Sequence, residues 1–285
     1  MRHPGEIAAQ RRAGVREPGG VGSSRTRPEI PEVAAAFLRA QRLIVAGAAD
    51  DQGRVWADVL TGPPGFAEAE DDRTITLKAL PAAPLRDLFA AERDLGLLAF
   101  EPHTRRRMRV NGTAVAAGGS LVVWTEQVYA NCPKYIQTRE PAGPQGTPTR
   151  LGSGAALLPR HQEWIGTADT FFIATRAEGL GADVSHRGGN PGFVRVTGPA
   201  SLEFPDYAGN TMFMTLGNLE LDPAAGLLFV DWARGETLHL TGRATVDWDA
   251  PQRRVSFELT AYTHVAGAVG AGWTEPGYHR FNPPV

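Results

Sequence analysis

The chain has 285 residues with a formal net charge of -2, and hydrophobic residues make up 42% of it while charged residues make up 21%. This composition is ordinary for a globular protein of one large or two modest domains, and it excludes the basic field that attracts nucleic acid or an anionic membrane. The single cysteine, Cys132, excludes an intramolecular disulfide and a multi-cysteine metal site.

The N-terminal region carries no targeting pattern. Arg11, Arg12 and Arg16 are not followed by the apolar region of a secretory signal, and no apolar run approaches the roughly 18 residues of a membrane helix. We therefore expect a cytoplasmic protein. Residues 1–28 are rich in Arg, Gly, Pro and Ser with almost no apolar periodicity, which predicts a flexible extension.

The first half, residues 29–140, is predicted to be mainly β. A short helix is expected to begin near Pro31, because a proline suits a first helical turn. Short apolar or alternating runs between turn residues then predict strands at residues 43–48, 55–60, 74–77, 95–100, 108–116 and 121–127. Residues 83–93 read as one helical interruption, and residues 141–160 read as a linker that is rich in Pro, Gly and Thr.

The second half, residues 161–265, repeats this rhythm. Strands are predicted at residues 171–175, 182–186, 193–197, 227–232, 237–246 and 255–263, with a helical interruption at residues 212–221. The tail, residues 266–285, is rich in Gly and Pro and is expected to wrap the surface.

Short sequence matches indicate that the halves are duplicates. Ala-Asp-Val at 57–59 and Pro-Gly-Phe at 64–66 recur at 182–184 and 191–193, while Gly-Leu-Leu at 96–98 recurs at 226–228. The offset between matches drifts only from 125 to 130. We therefore predict two tandem split β-barrels that form an intramolecular pseudo-dimer, with a ligand cleft at the interface between the halves.

The loops between the first two matches differ in the two halves. On this alignment the second-half loop, residues 185–190 (Ser-His-Arg-Gly-Gly-Asn), is two residues longer and more polar than residues 60–63. Glycine N–H groups and an arginine suit a phosphate. The same residues also suit an ordinary hairpin turn, and both interpretations stay open.

Two further segments are candidates for the site. Asn210 or Thr211 is expected to cap the following helix, whose N-terminus favours an anion, with Asn218 two turns on; capping alone is the alternative. Residues 128–137 (VYANCPKYIQ) have no second-half counterpart. Asn131 or Cys132 is expected to cap a short helix there with Pro133 in its first turn; a pure packing role is the alternative.

Residues 181–196 (GADVSHRGGNPGFVRV) resemble the strand–loop–strand of the pyridoxamine 5′-phosphate oxidase-related, FMN-binding split-barrel family. The resemblance continues through residues 205–210 (PDYAGN), 217–219, 226–229 and 236–244, and it covers roughly residues 35–263. Residues 131–137 are similar to a family segment that reaches a flavin from a neighbouring barrel.

This resemblance implies FMN in the cleft between the halves. It implies phosphate contacts from Ser185, Arg187, Gly188 and Gly189, phosphate or ribityl contacts from Asn210, Thr211 and Asn218, and an approach from the first half by Asn131, Lys134 and Tyr135. One phosphate site per chain is expected, because the first-half loop is short.

The function that the resemblance implies is an FMN-dependent oxidoreductase acting on an unidentified small molecule, with NAD(P)H or a reductase as donor. The vitamin B6 oxidase itself has one barrel per chain in a homodimer, and nothing here matches its substrate-binding segment, so oxidation of pyridoxamine phosphate is not the expected activity. No general base is named, because a flavin accepts a hydride or electrons without one.

Other functions stay open from the sequence. The alternatives are a non-catalytic flavin-binding, storage or electron-relay protein, or a split barrel that binds a deazaflavin or haem. The histidines are scattered without a metal-ligand spacing, so no metal site is expected, and a homodimer of the tandem chain is left open. Arg105–Arg107 with Arg109 form either a solvated turn or a site for a second anion, and Cys132 is either a small buried residue or a reactive thiol beside Lys134.

Overall fold

A computed structural model describes residues 3–18, 26–82, 84–141, 143 and 146–285. Four short helices lie in these ranges: α1 (Pro4–Arg12), α2 (Glu32–Ala40), α3 (Pro159–Thr167) and α4 (Met214–Leu221). None of them combines the length and the hydropathy that a bilayer-spanning helix needs.

Two 3₁₀ turns, Leu88–Ala90 and Pro102–Thr104, also lie in the described ranges, where most of the remaining regular structure is antiparallel β-sheet. The first sheet is formed by β1 (Leu43–Ala49), β2 (Val55–Thr61), β3 (Ala67–Ala69), β4 (Thr74–Leu77), β5 (Arg93–Glu101), β6 (Arg106–Ala117) and β7 (Ser120–Ala130). The second is formed by β8 (Thr149–Gly154), β9 (Thr170–Ala177), β10 (Gly181–Gly188), β11 (Arg195–Gly198), β12 (Ser201–Pro205), β13 (Ala224–Asp231), β14 (Glu236–Asp247) and β15 (Arg254–Ala266). Each predicted strand overlaps one of these.

The two sheets have the same topology. The order β2-β1-β5-β6-β7-β4-β3 in the first becomes β10-β9-β13-β14-β15-β12-β11 in the second, and only β8, which pairs with β15, lies off this path. Both sheets also carry a register shift at corresponding points, Asn111/Gly112 and Thr241/Gly242. The expected fold class, two tandem split β-barrels, is confirmed.

The halves meet through an apolar cluster that contains equivalent residues from each side. Val45 pairs with Leu98 in the first sheet, Phe172 pairs with Leu228 in the second, and all four side chains are fully buried. An interface built from the same positions of both partners is isologous, as in a two-fold dimer.

Glycine lets the backbones approach closely at this interface. A Cβ atom at Gly96 would lie 2.8 Å from the Cα of Asp183, and one at the equivalent Gly226 would lie 2.7 Å from the Cα of Trp56. The Gly-Leu-Leu match therefore reflects a packing requirement that occurs once in each half.

The strand registers correct one part of the sequence alignment. In β1, Gly47 pairs with Ala57 of β2 on one side and with Gly96 of β5 on the other. In β9, Ala174 pairs in the same way with Val184 of β10 and Gly226 of β13. Ala57 is thus equivalent to Val184, an offset of 127. The Pro-Gly-Phe match keeps this offset, and its glycines share a φ near +90°. The Ala-Asp-Val match is two residues out of register, so the expectation of a longer second-half loop is wrong.

The helix predicted over residues 83–93 is also wrong. Only a 3₁₀ turn, Leu88–Ala90, forms there, because Asp87 has a left-handed backbone (φ 66°) and β5 already begins at Arg93. Residue 83 lies outside the described residues.

The expected flexible extension contains α1, so that expectation is wrong for residues 4–12. The helix packs on α4 through glycines, since a Cβ at Gly5 would lie 1.9 Å from the Gly217 carbonyl oxygen. Gln10 is buried and donates from Nε2 to the Met212 carbonyl. Small residues carry this contact, which explains why no apolar stripe predicted it. Residues 1–2 and 19–25 lie outside the described residues.

The region expected as a linker contributes to the second half, and the tail contacts both halves. β8 lies inside the stretch predicted as linker and pairs with β15, and α3 begins at Pro159. The tail buries Ala268 and Val269 in the interface cluster and bridges back to Thr138 at Gly277.

We expect Gly96→Ala to lower the free energy of unfolding by about 1–3 kcal/mol, because the added methyl group meets backbone rather than a flexible side chain. Urea unfolding measures this. Gly166→Ala in α3 is the control, since nothing lies within 4 Å of its new Cβ. Equal unfolding midpoints for Gly96→Ala and wild type would contradict the close approach.

Candidate functional site

A cavity of about 80 Å³ lies between the halves, and we call it the junction cleft. The first half contributes Arg107 and Arg109 from β6, and the second half contributes β10 residues 185–188. Its other lining residues are Asn131, Cys132, Lys134, Tyr135, Phe193, Pro205, Tyr207, Gly209 and Asn210. The cleft therefore needs both halves.

Most of the residues implicated by the family resemblance line this cleft, namely Ser185, Arg187, Gly188, Asn131, Lys134, Tyr135 and Asn210. Three do not. The Gly189 N–H donates to the Asp169 carbonyl on the far side of the strand end, and the buried Asn218 donates to Thr175 Oγ1 at 3.0 Å. Thr211 has a left-handed backbone and does not line the cleft.

Arg109 crosses the interface and forms a buried ion pair. Its Nη1 lies 3.0 Å from Asp183 Oδ2, its Nη2 donates to Ser185 Oγ at 2.6 Å, and the Tyr129 hydroxyl donates to Asp183 at 3.1 Å. Burial acts to lower the pKa of Arg109, but the Asp183 carboxylate outweighs it and holds the pKa above its ordinary value. The pair fixes Ser185 in the cleft.

Arg187 shares its carboxylate with another arginine. Its Nη1 lies 3.1 Å from Asp206 Oδ1, while Arg253 Nη2 donates to Asp206 Oδ2 at 2.6 Å. Two guanidinium groups on one carboxylate leave an excess of positive charge on this side of the cleft.

Arg107 has no carboxylate partner among the described residues, and its Nη1 instead lies 2.7 Å from His186 Nδ1. Burial, followed by the nearby Arg109 and Arg187, lowers the pKa of Arg107 to about 9. Burial and then Arg107 hold the pKa of His186 well below its ordinary value. His186 is therefore uncharged and accepts from Arg107.

Several buried polar atoms around the cleft have no hydrogen-bond partner. They are the Nε atoms of Arg107, Arg109 and Arg187, together with Asn131 Oδ1 and His186 Nε2. Buried donors are normally satisfied, and guanidinium groups match the oxygens of a phosphate. Excess positive charge and unused donors at one point fit an anionic group.

The segment after β7 covers the cleft as a turn rather than the predicted helix. Tyr135 has a left-handed backbone (φ 66°), which ends any helix after Pro133. A Cβ at Gly188 would lie 2.1 Å from the Tyr135 carbonyl oxygen, so only glycine permits this contact. The Tyr135 hydroxyl donates to the Ala208 carbonyl, and its ring lies 5.2 Å from that of Tyr207.

The predicted cap of α4 is also wrong. The N-cap position belongs to Phe213, which makes no side-chain cap bond, while Asn210 Oδ1 accepts from the Met212 N–H at 3.2 Å. The left-handed backbone at Thr211 and Phe213 turns the chain before the helix begins. Asn210 thus braces the cleft rather than the helix.

Sequence reasoning placed Arg107 and Arg109 only in a basic patch. The patch divides in the structure, because Arg105 Nε donates to the Ile136 carbonyl and Arg106 stacks over the Phe37 ring at 4.5 Å. Arg107 and Arg109 lie two residues apart on β6 and so share one face. That spacing was the available signal. Cys132 is half-buried at the cleft.

The pseudo-two-fold relation creates a second junction without arginines at the corresponding positions. An offset of 130 makes Thr237 and His239 of β14 the equivalents of Arg107 and Arg109 of β6. An offset of 127 makes Asp58 and Leu60 of β2 the equivalents of Ser185 and Arg187 of β10. The His239 ring Nδ1 lies 2.8 Å from the Ala57 carbonyl oxygen. This difference favours the expected single phosphate site, although the reason is side-chain replacement and not loop length.

Asp58 at the second junction is buried, and His239 Nδ1 lies 3.8 Å from its Oδ1. Burial raises its pKa to about 7, and burial lowers the pKa of His239 to about 4. The folded chain therefore retains a proton on Asp58 that the unfolded chain releases from pH 4 upward.

We expect Asp58 to lower stability as the pH rises from about 4 to about 7, and Asp58→Asn to remove this loss. The variant should be more stable than wild type at pH 8, by about 4 kcal/mol at most, and similar at pH 4. Urea unfolding at both pH values measures it, and comparison at each pH cancels the parallel effect of Glu6, whose pKa burial raises to about 7. A variant that is less stable at pH 8 would refute the assignment.

No protein-family model and no curated protein matches the chain. Similar solved structures include a proposed pyridoxamine 5′-phosphate oxidase from Lactobacillus delbrueckii (14% identity, covering 40% of this chain and 97% of that chain, TM-score 0.33). HupZ from Group A Streptococcus is similar at 11% identity, 41% and 100% coverage and a TM-score of 0.33. An FMN-binding protein from Syntrophomonas wolfei is similar at 8% identity, 36% and 81% coverage and a TM-score of 0.28. These likenesses carry no information on the ligand of this chain.

Proposed function

We propose that the chain is a tandem member of the pyridoxamine 5′-phosphate oxidase-related split-barrel family and an FMN-dependent oxidoreductase acting on a small molecule. The observation that carries the proposal is the set of unpartnered guanidinium Nε atoms of Arg107, Arg109 and Arg187 around one small cavity. A phosphate monoester supplies the charge and the acceptors that these donors lack.

The junction cleft would hold the phosphate end of FMN. Its volume of about 80 Å³ suits a phosphate-sized group and not a whole flavin, since drug-sized ligands occupy roughly 300 Å³ or more. Arg107 and Arg187 would neutralise the phosphate, Arg109 would donate from its unpartnered Nε, and Ser185 would donate or accept one hydrogen bond. Tyr135, Tyr207 and Phe193 line the cleft and would contact the remaining part of the cofactor.

Bound FMN would supply the transfer of electrons or a hydride, while this chain would supply position and charge. Arg109 and Asp183 form a neutral pair that fixes Ser185, so the free positive charge of the cleft comes from Arg107 and Arg187. We propose NAD(P)H or a reductase as the electron donor. A flavin carrier without turnover would use the same cleft and is separated below by kinetics.

We expect the purified chain to bind about one FMN and Arg187→Leu, which copies Leu60 of the first half, to weaken binding by at least about tenfold because one charge-assisted contact is lost. Fluorescence titration with FMN measures both. Arg195→Leu is the matched control, since Arg195 is exposed and pairs with Glu203 outside the cleft. Two equivalent flavins, or equal loss in both variants, would contradict the single site.

Anaerobic mixing of the FMN-loaded protein with NADPH distinguishes the two flavin functions. Bleaching of the visible flavin absorbance, followed by reoxidation with an acceptor, supports an oxidoreductase. Tight FMN binding without reduction by NADPH or a flavin reductase would support a flavin carrier. A colourless protein that does not bind added FMN would contradict both the oxidoreductase and the carrier function.

A further inference from the structure

A second cavity, larger than the junction cleft, lies apart from it. It has a volume of about 620 Å³, is confined mainly to the second half, and shares no lining residue with the cleft. Its walls come from α3, the start of β9, the end of β13 and the region around Trp273. We call it the second-half cavity, and its volume is that of a small-molecule site.

A chain of titratable side chains forms one wall of this cavity. Glu236 Oε2 lies 2.8 Å from His264 Nε2, and His264 Nδ1 lies 3.3 Å from His161 Nε2. His161 is fully buried and His264 nearly so. Burial, then His264 and Arg160, lower the pKa of His161 to about 4, so its imidazole is uncharged.

The series Glu236–His264–His161 ends at a ring nitrogen of His161 that has no hydrogen-bond partner. The contacts to His264 and Arg160 both use His161 Nε2, which leaves His161 Nδ1 as the second ring nitrogen. That Nδ1 is buried and has no partner. Thr170 Oγ1 and Trp273 Nε1, which belong to two other lining residues, are also buried without partners. Three unsatisfied polar atoms around one cavity indicate a missing ligand.

The first half shows that the fold does not require these three titratable side chains. At an offset of 127 the bounds of α3 coincide with those of α2, so His161 corresponds to Ala34. The strand registers likewise place His264 at the position of Ala130. Glu236 likewise replaces Arg106. Two alanines and an arginine serve the same scaffold positions, so packing alone does not account for the imidazoles.

The other lining residues indicate the shape and charge of a ligand that fits the cavity. Trp164, Trp232 and Trp273 line the cavity, and the last two meet edge to face at 4.9 Å. Its charged lining residues are Glu163, Asp169, Asp231, Glu236, Glu275, Arg139, Arg160 and Arg234. Asp169 pairs with Arg139, Asp231 pairs with Arg234, and Arg160 makes a long 3.4 Å contact with His161, so the excess charge is negative. Indole faces with surplus carboxylates favour flat neutral or cationic rings over anions.

We propose that the second-half cavity is a separate ligand site for a planar, nitrogen-containing aromatic molecule that is neutral or positively charged. The tryptophan side chains contact its ring, and His161 Nδ1 forms a hydrogen bond with its amide or ring nitrogen group. The site is independent of flavin binding at the junction cleft.

The test is calorimetric titration of the full-length chain with three probes that share one ring and differ in charge: 1-methylnicotinamide (cation), nicotinamide (neutral) and nicotinate (anion). We expect nicotinate to bind at least about tenfold more weakly than the other two. His161→Ala, which copies the first half, and Trp273→Leu should each weaken 1-methylnicotinamide about tenfold.

Two controls separate this site from others. Trp124→Leu removes an exposed tryptophan of the first half and should leave the affinities unchanged. Arg187→Leu alters the junction cleft and should leave them unchanged too, whether or not FMN binds there. Loss of probe binding in Arg187→Leu would assign the probes to the junction cleft and overturn the proposal.

Three further results would each overturn the proposal. They are no binding of any probe, strongest binding of nicotinate, and unchanged affinity in both His161→Ala and Trp273→Leu. If circular dichroism shows that these variants do not fold, Glu236→Gln keeps the side-chain shape and removes one charge. It should reduce the preference for 1-methylnicotinamide over nicotinamide, and an unchanged preference would overturn the proposal.

Discussion

The close approach of two glycine-bearing strands is the constraint on which the candidate site depends. Gly96 and Gly226 let β5 and β13 meet the backbone of the opposite half, and the buried cluster around Val45 and Phe172 holds them there. Only at this separation does Arg109 on β6 reach Asp183 and Ser185 on β10. Neither half could form this cleft alone.

Tandem fusion also explains why the two junctions differ. In a dimer of identical chains every substitution appears twice, whereas here the second junction could replace arginine with His239 and Leu60 while the first retained its charge. The buried Asp58 shows the result, because an acid with a pKa of about 7 is tolerated where no anion has to bind. The same freedom put imidazoles at positions where the first half has Ala34 and Ala130.

The sequence predicted what local patterns encode. Alternation located the strands, and the polar run at Ser185 and Arg187 located one side of the cleft. The other side was missed, because the spacing of Arg107 and Arg109 indicates a shared strand face and not the packing of the two halves that brings this face to Asp183 and Ser185. Helix α1 was missed because Gly5 contacts α4 through its small size and not through hydrophobicity. The repeat was misaligned because the Ala-Asp-Val match lies two positions away from the structurally equivalent residues.

A backbone hydrogen bond connects a residue that lines the second-half cavity to the strand end beside the junction cleft. Asp169 lines the cavity with its carboxylate paired to Arg139, which stands 5.5 Å over the Trp232 ring, while its carbonyl accepts from the N–H of Gly189 next to the cleft. Arg139 and Asp169 are both buried and neutralise each other, so neither charge at this boundary is left for a ligand of either cavity. The ion pair fixes the boundary between the two cavities, which is why a ligand in one is expected to leave the affinity of the other unchanged.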